Sequence, residues 1–263
     1  MTVMDRVKEH YNEALTYFPE DRIVGIFLQG SQNYGLATPQ SDVDTKLIVT
    51  PTFKDIAMNR KPVSTTHIRA NEEHIDFKDI RFYIQTFRKQ NLNFLEILYT
   101  DFAIVNPIYE KQWNRLVESR EAITHFNPYR SVQSMKGIAL EKYHAIEHEY
   151  PSKIEVLKKY GYDPKQLHHL VRVEDYLGRY INGENYESCL DPGPMKQELI
   201  EIKMGKYSLA DARSIADKAK AHVEEMAEYA YSIYPNEEDP EVNELLDDVQ
   251  YEIMRIAVKG ELK

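Results

Sequence analysis

The feature that most restricts the fold is a change of texture near residue 127. Beyond it, apolar residues recur at helical spacing with little strand signal. Helices are expected over 128–149, 152–160, 164–182, 194–204, 208–233 and 239–259, punctuated by Pro151, Gly161, Gly183, Gly205 and Pro235. Before it, short β-type runs and helical periods are mixed. A chain of 263 residues divided in this way is predicted to be α+β, with a small mixed β-sheet domain at 1–126 and an all-helical domain at 127–263.

The first half reads as an ordered series. Val3, Val7, Tyr11, Leu15 and Phe18 have helical spacing. Ile23 to Leu28 is a continuous apolar run, as expected of a strand buried on both faces, and it leads into Gly30-Ser31. A second strand is expected over Val43 to Val49, and Thr52 is a cap for a short helix through Met58. Thr65–Arg69 should extend or pair with a third strand, Glu73 to Lys78, in which Ile75 and Phe77 alternate with polar neighbours. Asp79 reads as the cap of a helix over Ile80 to Gln90, and Asn93 with Glu96 as a capping box. Phe102 to Val105 is a further strand, and Asn106-Pro107 is expected to open a helix with proline first.

Composition narrows the class. No apolar stretch is long enough to span a membrane, and the first 18 residues lack the apolar core of a signal peptide. The single cysteine, Cys189, rules out a disulfide framework or a cysteine cage, so the cytoplasm is the expected compartment. A net charge of −10 argues against an extended nucleic-acid footprint, though not against a nucleotide bound as its metal complex.

Chemistry concentrates in the run Gly30-Ser-Gln-Asn-Tyr-Gly-Leu-Ala-Thr-Pro-Gln-Ser-Asp-Val-Asp44. Glycine lets a backbone approach an anion, and free amides with the Ser31 hydroxyl can hold a triphosphate. Asp42 and Asp44, two apart on a strand, would leave the same face and repel unless a cation lay between them. Hard divalent ions prefer such oxygen ligands. Asp76 faces opposite to Ile75 and Phe77, and on a neighbouring strand it would complete a two-ion phosphoryl-transfer site as general base or ion bridge. Asp79 is more simply a helix cap, and Glu72 and Glu73 lie at the strand entrance. In the second half Lys165, His169 and Arg172 share one helix face, a phosphate or acceptor clamp, whereas His168 points away and is expected to be structural. Each feature has an ordinary counterpart: a turn, a solvated strand, a polar helix face. Glu141, His144 and His148 fall in that ordinary class, and Arg81 with Arg88 form a surface pair that could meet RNA. Tyr34 is the tyrosine expected to touch nucleotide.

Gly-Ser, a spacer, Asp-x-Asp and a later acidic strand residue together resemble the DNA polymerase beta-type nucleotidyltransferase superfamily. The longer wording from Gly30 to Asp44 resembles its RNA-repair-associated predicted nucleotidyltransferases of bacteria and phages. Asn93-Phe-Leu-Glu96 and Tyr160-Gly-Tyr-Asp-Pro-Lys165-Gln-Leu-His-His169-Leu-Val-Arg172 are similar to further segments of that group. The resemblance implies a polymerase beta-like catalytic domain at 1–126. It also implies Mg²⁺ (two ions, with Mn²⁺ as substitute) on Asp42, Asp44 and Asp76. The NTP, ATP or CTP, would then be bound by Gly30, Ser31, Tyr34, Lys165, His169 and Arg172, with transfer to an RNA 3′ end. Two other functions fit the residues. One is nucleotidylation of a protein or of a small molecule such as an aminoglycoside, towards which an acidic cleft would draw a cation. The other is a non-catalytic nucleotide-binding regulatory module.

Overall fold

The computed structural model describes residues 2–38 and 41–262. The sheet-bearing half runs α1 (Val3–Ala14), β1 (Ile23–Gln29), β2 (Asp44–Val49), α2 (Phe53–Ala57), β3 (Ser64–Ile68), β4 (His74–Asp79), α3 (Ile80–Arg88), α4 (Leu92–Leu95), β5 (Ala103–Val105), α5 (Glu110–Glu118) and α6 (Arg120–Thr124). Helices α7 (Pro128–Ala145), α8 (Ile154–Tyr160), α9 (Pro164–Ile181), α10 (Tyr186–Leu190), α11 (Lys196–Lys203), α12 (Leu209–Ile233) and α13 (Pro240–Glu261) follow.

The strands form a mixed sheet in the order β3-β4-β2-β1-β5. β1 is antiparallel to β2 and β5, β3 is antiparallel to β4, and β2 and β4 run parallel. The parallel pair needs a crossover, which α2 and β3 provide. The apolar run Ile23 to Leu28 lies at the buried centre, as its continuity requires. Ile26, Leu28, Leu47, Val49, Ile75 and Phe77 form one core with Val7 and Ala14 of α1. Phe27 faces the other side, its ring centroid 4.2 Å from that of Trp113 on α5. Gly25 makes room for it, because a Cβ there would lie 2.7 Å from the Phe27 ring and 3.0 Å from the Ile104 carbonyl oxygen.

The described residues divide into two units. The sheet unit holds those up to Asn33, from Ser41 to Asn127 and from Glu238 onward; the helical unit holds Tyr34–Thr38 and Pro128–Glu237. The division falls between Asn127 and Pro128, and the helical unit ends at Glu237 rather than running to 263 as expected. Helix α13 returns to the sheet unit and packs on α3 and α5. Arg88 donates to Asn243 and Asp247, each at 2.7 Å, and Arg115 lies 3.5 Å from Asp248. Asp239 N–H donates to the Phe126 carbonyl at 3.0 Å, so the two ends of the intervening segment meet. Helical period reveals that α13 has an apolar face, not which element covers that face.

Within the helical unit α9 is central and packs on α7, α10, α11 and α12. Asp163 caps it and Pro164 occupies its first turn. The buried face of α12 carries Ala212, Ala216, Ala219, Ala227 and Ala230, small residues that permit close approach. Among the described residues, no helix is long and apolar enough to cross a membrane.

Two local expectations are corrected, and one helix was not expected. Asn91, not Asn93, caps α4, its side chain accepting from the Asn93 N–H, so Asn93 and Glu96 form no capping box. Asn106-Pro107 opens a turn, and α5 begins at Glu110, because Asn106 accepts from the Ile108 N–H and donates to the Glu20 carbonyl. Helix α10, capped by Asn185, is short enough to have escaped a reading by period.

Candidate functional site

The parallel register pairs Thr45 with Ile75 and Lys46 with Asp76. Side chains alternate along a strand, so Thr45, Leu47, Ile75 and Phe77 face α1. Asp44, Lys46, His74 and Asp76 take the other face. Asp44 Oδ1 accepts from the His74 main-chain N–H at 2.9 Å and lies 3.2 Å from His74 Nδ1. Asp76 Oδ2 lies 3.4 Å from Lys46 Nζ, and Thr66 Oγ1 donates to its Oδ1. Lys46 is 3% exposed, with its ammonium 4.3 Å from the Phe94 ring centroid. Desolvation lowers its pKa, and the charge of Asp76 opposes that shift.

The structure therefore gathers Asp44 and Asp76 on one face and sets a buried lysine beside Asp76. Asp42 is exposed and precedes β2, which starts at Asp44, so the two aspartates do not share a strand face as expected. Among the described residues, no three His, Cys, Asp or Glu side chains stand together as a ready-made metal cage, Glu141, His144 and His148 included.

Two buried carboxylates brace the ends of the loop that carries the motif. Glu96 Oε1 accepts the Gly30 N–H at 3.2 Å. That amide is thus engaged rather than free for an anion, and the glycine contributes its left-handed φ of 86°. Asn33 ties the same turn to the Gly30 and Leu28 carbonyls, and Ser31 is half-buried. At the far end Glu73, 1% exposed, accepts the Val43 N–H at 3.1 Å. Both carboxylates were legible as acids in the sequence; their roles were not, because their partners are main-chain amides 66 and 30 residues away.

In the helical unit, Arg172 stacks on the buried Tyr34 ring at 3.7 Å from its centroid. Lys203 Nζ donates to the Leu36 carbonyl at 2.9 Å. Gly35, with φ of 66°, leaves room for Lys196 Nζ, which would lie 2.8 Å from a Cβ at that position. Three cations thus meet three successive residues, and the sequence pattern identified only Arg172. Lys165 is exposed and His169 half-buried. Burial pushes the His169 imidazole well below its ordinary pKa, so it presents a neutral ring rather than a cation. His168 is structural as expected, 2% exposed and 2.8 Å from the Leu199 carbonyl. An open pocket of about 450 Å³ lies beside α9, between Val171, Glu174, Gly178, Met195, His222 and Met226. Arg81 and Arg88 are engaged with Asp79 and with α13, which accounts for both without RNA.

Burial depresses the pKa of His10 in the sheet unit and of His168 in the helical unit, each to about 4. Both are neutral in the fold, whereas the unfolded chain takes up these protons near pH ~6.5. Their contribution is fully present above that value and is lost as pH falls towards 4. Melting temperatures of both units should drop by several degrees between pH 7 and pH 4.5; a flat profile would contradict the buried neutral histidines.

No family model matches the chain, and no curated protein matches it. Among solved structures, it is similar to the crystal structure of a nucleotidyltransferase-like protein from Exiguobacterium sibiricum 255-15, with 12% identity over 86% of this chain and 75% of that one, at a TM-score of 0.28.

Proposed function

We propose that the chain is a divalent-metal-dependent nucleotidyltransferase that moves a nucleoside monophosphate from an NTP to an acceptor hydroxyl. The observation that carries this reading is the placement of Asp44 and Asp76 on one face of adjacent parallel strands, with Asp42 just ahead of β2. The donors fit a hard cation: all are carboxylate oxygens, and Asp44 binds His74 through Oδ1, leaving Oδ2 over. Asp42 and Asp44 would hold Mg²⁺ or Mn²⁺, with Asp76 as bridge to a second ion or as base. Bound ions would neutralise the triphosphate and polarise the acceptor hydroxyl.

The residues divide the remaining work. The acceptor oxygen attacks the α-phosphorus, an O–P bond forms, and the bond to the bridging oxygen breaks to release pyrophosphate. Asp76 would take the hydroxyl proton, with the Lys46 ammonium 3.4 Å from its Oδ2. Ser31 offers a hydroxyl to phosphate, and Gly30 shapes the turn that presents it. Tyr34, Lys165, His169 and Arg172, which the resemblance implies for nucleotide binding, all belong to the helical unit.

An RNA 3′ end is the acceptor that the sequence resemblance implies. The net charge of −10 favours a second acceptor class, a cationic small molecule or protein side chain. Incubation with each α-labelled NTP, Mg²⁺ and a total cell lysate decides between them. Label is expected on RNA and should vanish with chelator. Label on protein or small molecules alone moves the assignment to the second class, and no transfer with any NTP overturns the enzyme reading.

A further inference from the structure

We infer that Glu73 is the positioning residue for the Asp42–Asp44 run, holding the main-chain N–H of Val43, the residue between the two aspartates. The role of those aspartates as metal ligands rests on the function proposed above.

Val43 N–H cannot be held by the sheet. Pairing of β2 with β1 ends at Asp44, and pairing with β4 begins at Thr45. Glu73 Oε1 supplies the missing acceptor at 3.1 Å. The carboxylate is secured in turn: Arg6 contacts Oε1, while Arg69 Nη1 and Asn71 Nδ2 each donate to Oε2 at 2.8 Å. His10 Nε2 is 2.9 Å from Oε2, and His10 Nδ1 is 2.9 Å from Thr45 Oγ1. Glu73 Oε2 already accepts from Arg69 and Asn71, so His10 donates to it from Nε2 and accepts from Thr45 at Nδ1. One buried carboxylate thereby grips both neighbours of Asp44, Val43 through the main chain and Thr45 through His10.

A buried charge cluster is an expensive way to fill a core, and apolar residues of equal volume often stabilise as well. An apolar side chain, however, cannot accept the Val43 N–H. Two carboxylates awaiting a cation repel each other, and a loop free to move would let them separate. Anchoring the peptide between them meets that cost at folding, so ligand geometry is set before the ion arrives.

Mn²⁺ binding to the full chain without nucleotide, followed by electron paramagnetic resonance, tests this. Glu73→Met, which removes the acceptor, should weaken binding at least about tenfold, as loss of a ligand-orienting partner commonly does. Glu73→Gln, which keeps an oxygen for Val43, should recover most of it. Equal weakening in both makes the effect one of charge through space and overturns the proposal, as does no weakening in either. Arg6→Met and Arg69→Met disturb the cluster while leaving the Val43 contact; they should lower the melting temperature with Mn²⁺ affinity unchanged. A matching loss of affinity in those two reduces Glu73 to a part of the fold, a result that stands even where Glu73→Met does not fold. If Asp42→Asn binds Mn²⁺ like the unaltered chain, the metal assignment fails instead. The anchor is then judged by Val43 amide hydrogen exchange, which should quicken in Glu73→Met and stay slow in Glu73→Gln.

Discussion

Asp42→Asn is expected to lose nucleotidyl transfer by roughly 10³-fold while the melting temperature stays within a degree or so of the unaltered chain. The size follows from the several kcal/mol that a correctly held divalent ion contributes to a phosphoryl-transfer transition state, at about 1.4 kcal/mol per factor of ten. The separation of activity from stability follows from where Asp42 sits. It is exposed and ahead of β2, so neutralising it removes no strand pairing and no core contact. Asp44 is a poorer test, since its carboxylate also receives the His74 main-chain N–H. Initial rates with labelled NTP across a Mg²⁺ titration, alongside a thermal melt, check both halves. Full activity in Asp42→Asn would place the reaction elsewhere.

Phe27→Ala is expected to destabilise the sheet unit by about 3–5 kcal/mol, the range for truncating a buried aromatic. The ring is fully buried and lies against Trp113 on one side and over Gly25 on the other. Collapse into the vacancy is limited because Gly25 has no side chain to move and the backbone around it is sheet. Trp113 is the single tryptophan, so urea unfolding followed by its fluorescence reports on this unit. A loss below about 1 kcal/mol would mean that the site relaxes freely, contrary to the packing described. Gly25→Ala acts on the same contact from the other side, by forcing the Phe27 ring out of its seat.

Local patterns carried most of the fold. Thr52 and Asp79 cap the helices expected of them, Ile75 and Phe77 enter the core while Asp76 stays outside it, and Ser208 opens α12. Each of these depends on neighbours a few residues away. What was not legible depends on contacts distant in the chain. The place of Asp42 outside β2 follows from where pairing with Gln29 ends. The engagement of Gly30 by Glu96, and of Asp76 by Lys46, follows from strand and helix placement. Lys46 could have been found: two residues after Asp44 it shares that residue's face, and a parallel neighbour would bring it level with an acid on the next strand. Lys196 and Lys203 had no such signal, since the loop segment they meet is remote in sequence and only the fold brings it to α11.

The hydrogen bond from Asp239 to the Phe126 carbonyl has a consequence for anyone dividing the protein. Residues 128–237 form an insertion whose two ends emerge side by side, not a domain appended after the sheet. A stop codon at 127 would strip α13 from the sheet unit, exposing the apolar faces of α3 and α5 and leaving Arg88 without Asn243 and Asp247. A splice joining 126 to 239 through a short linker would keep that helix and those pairings. The smallest piece with a whole sheet unit is therefore reached by excision rather than truncation.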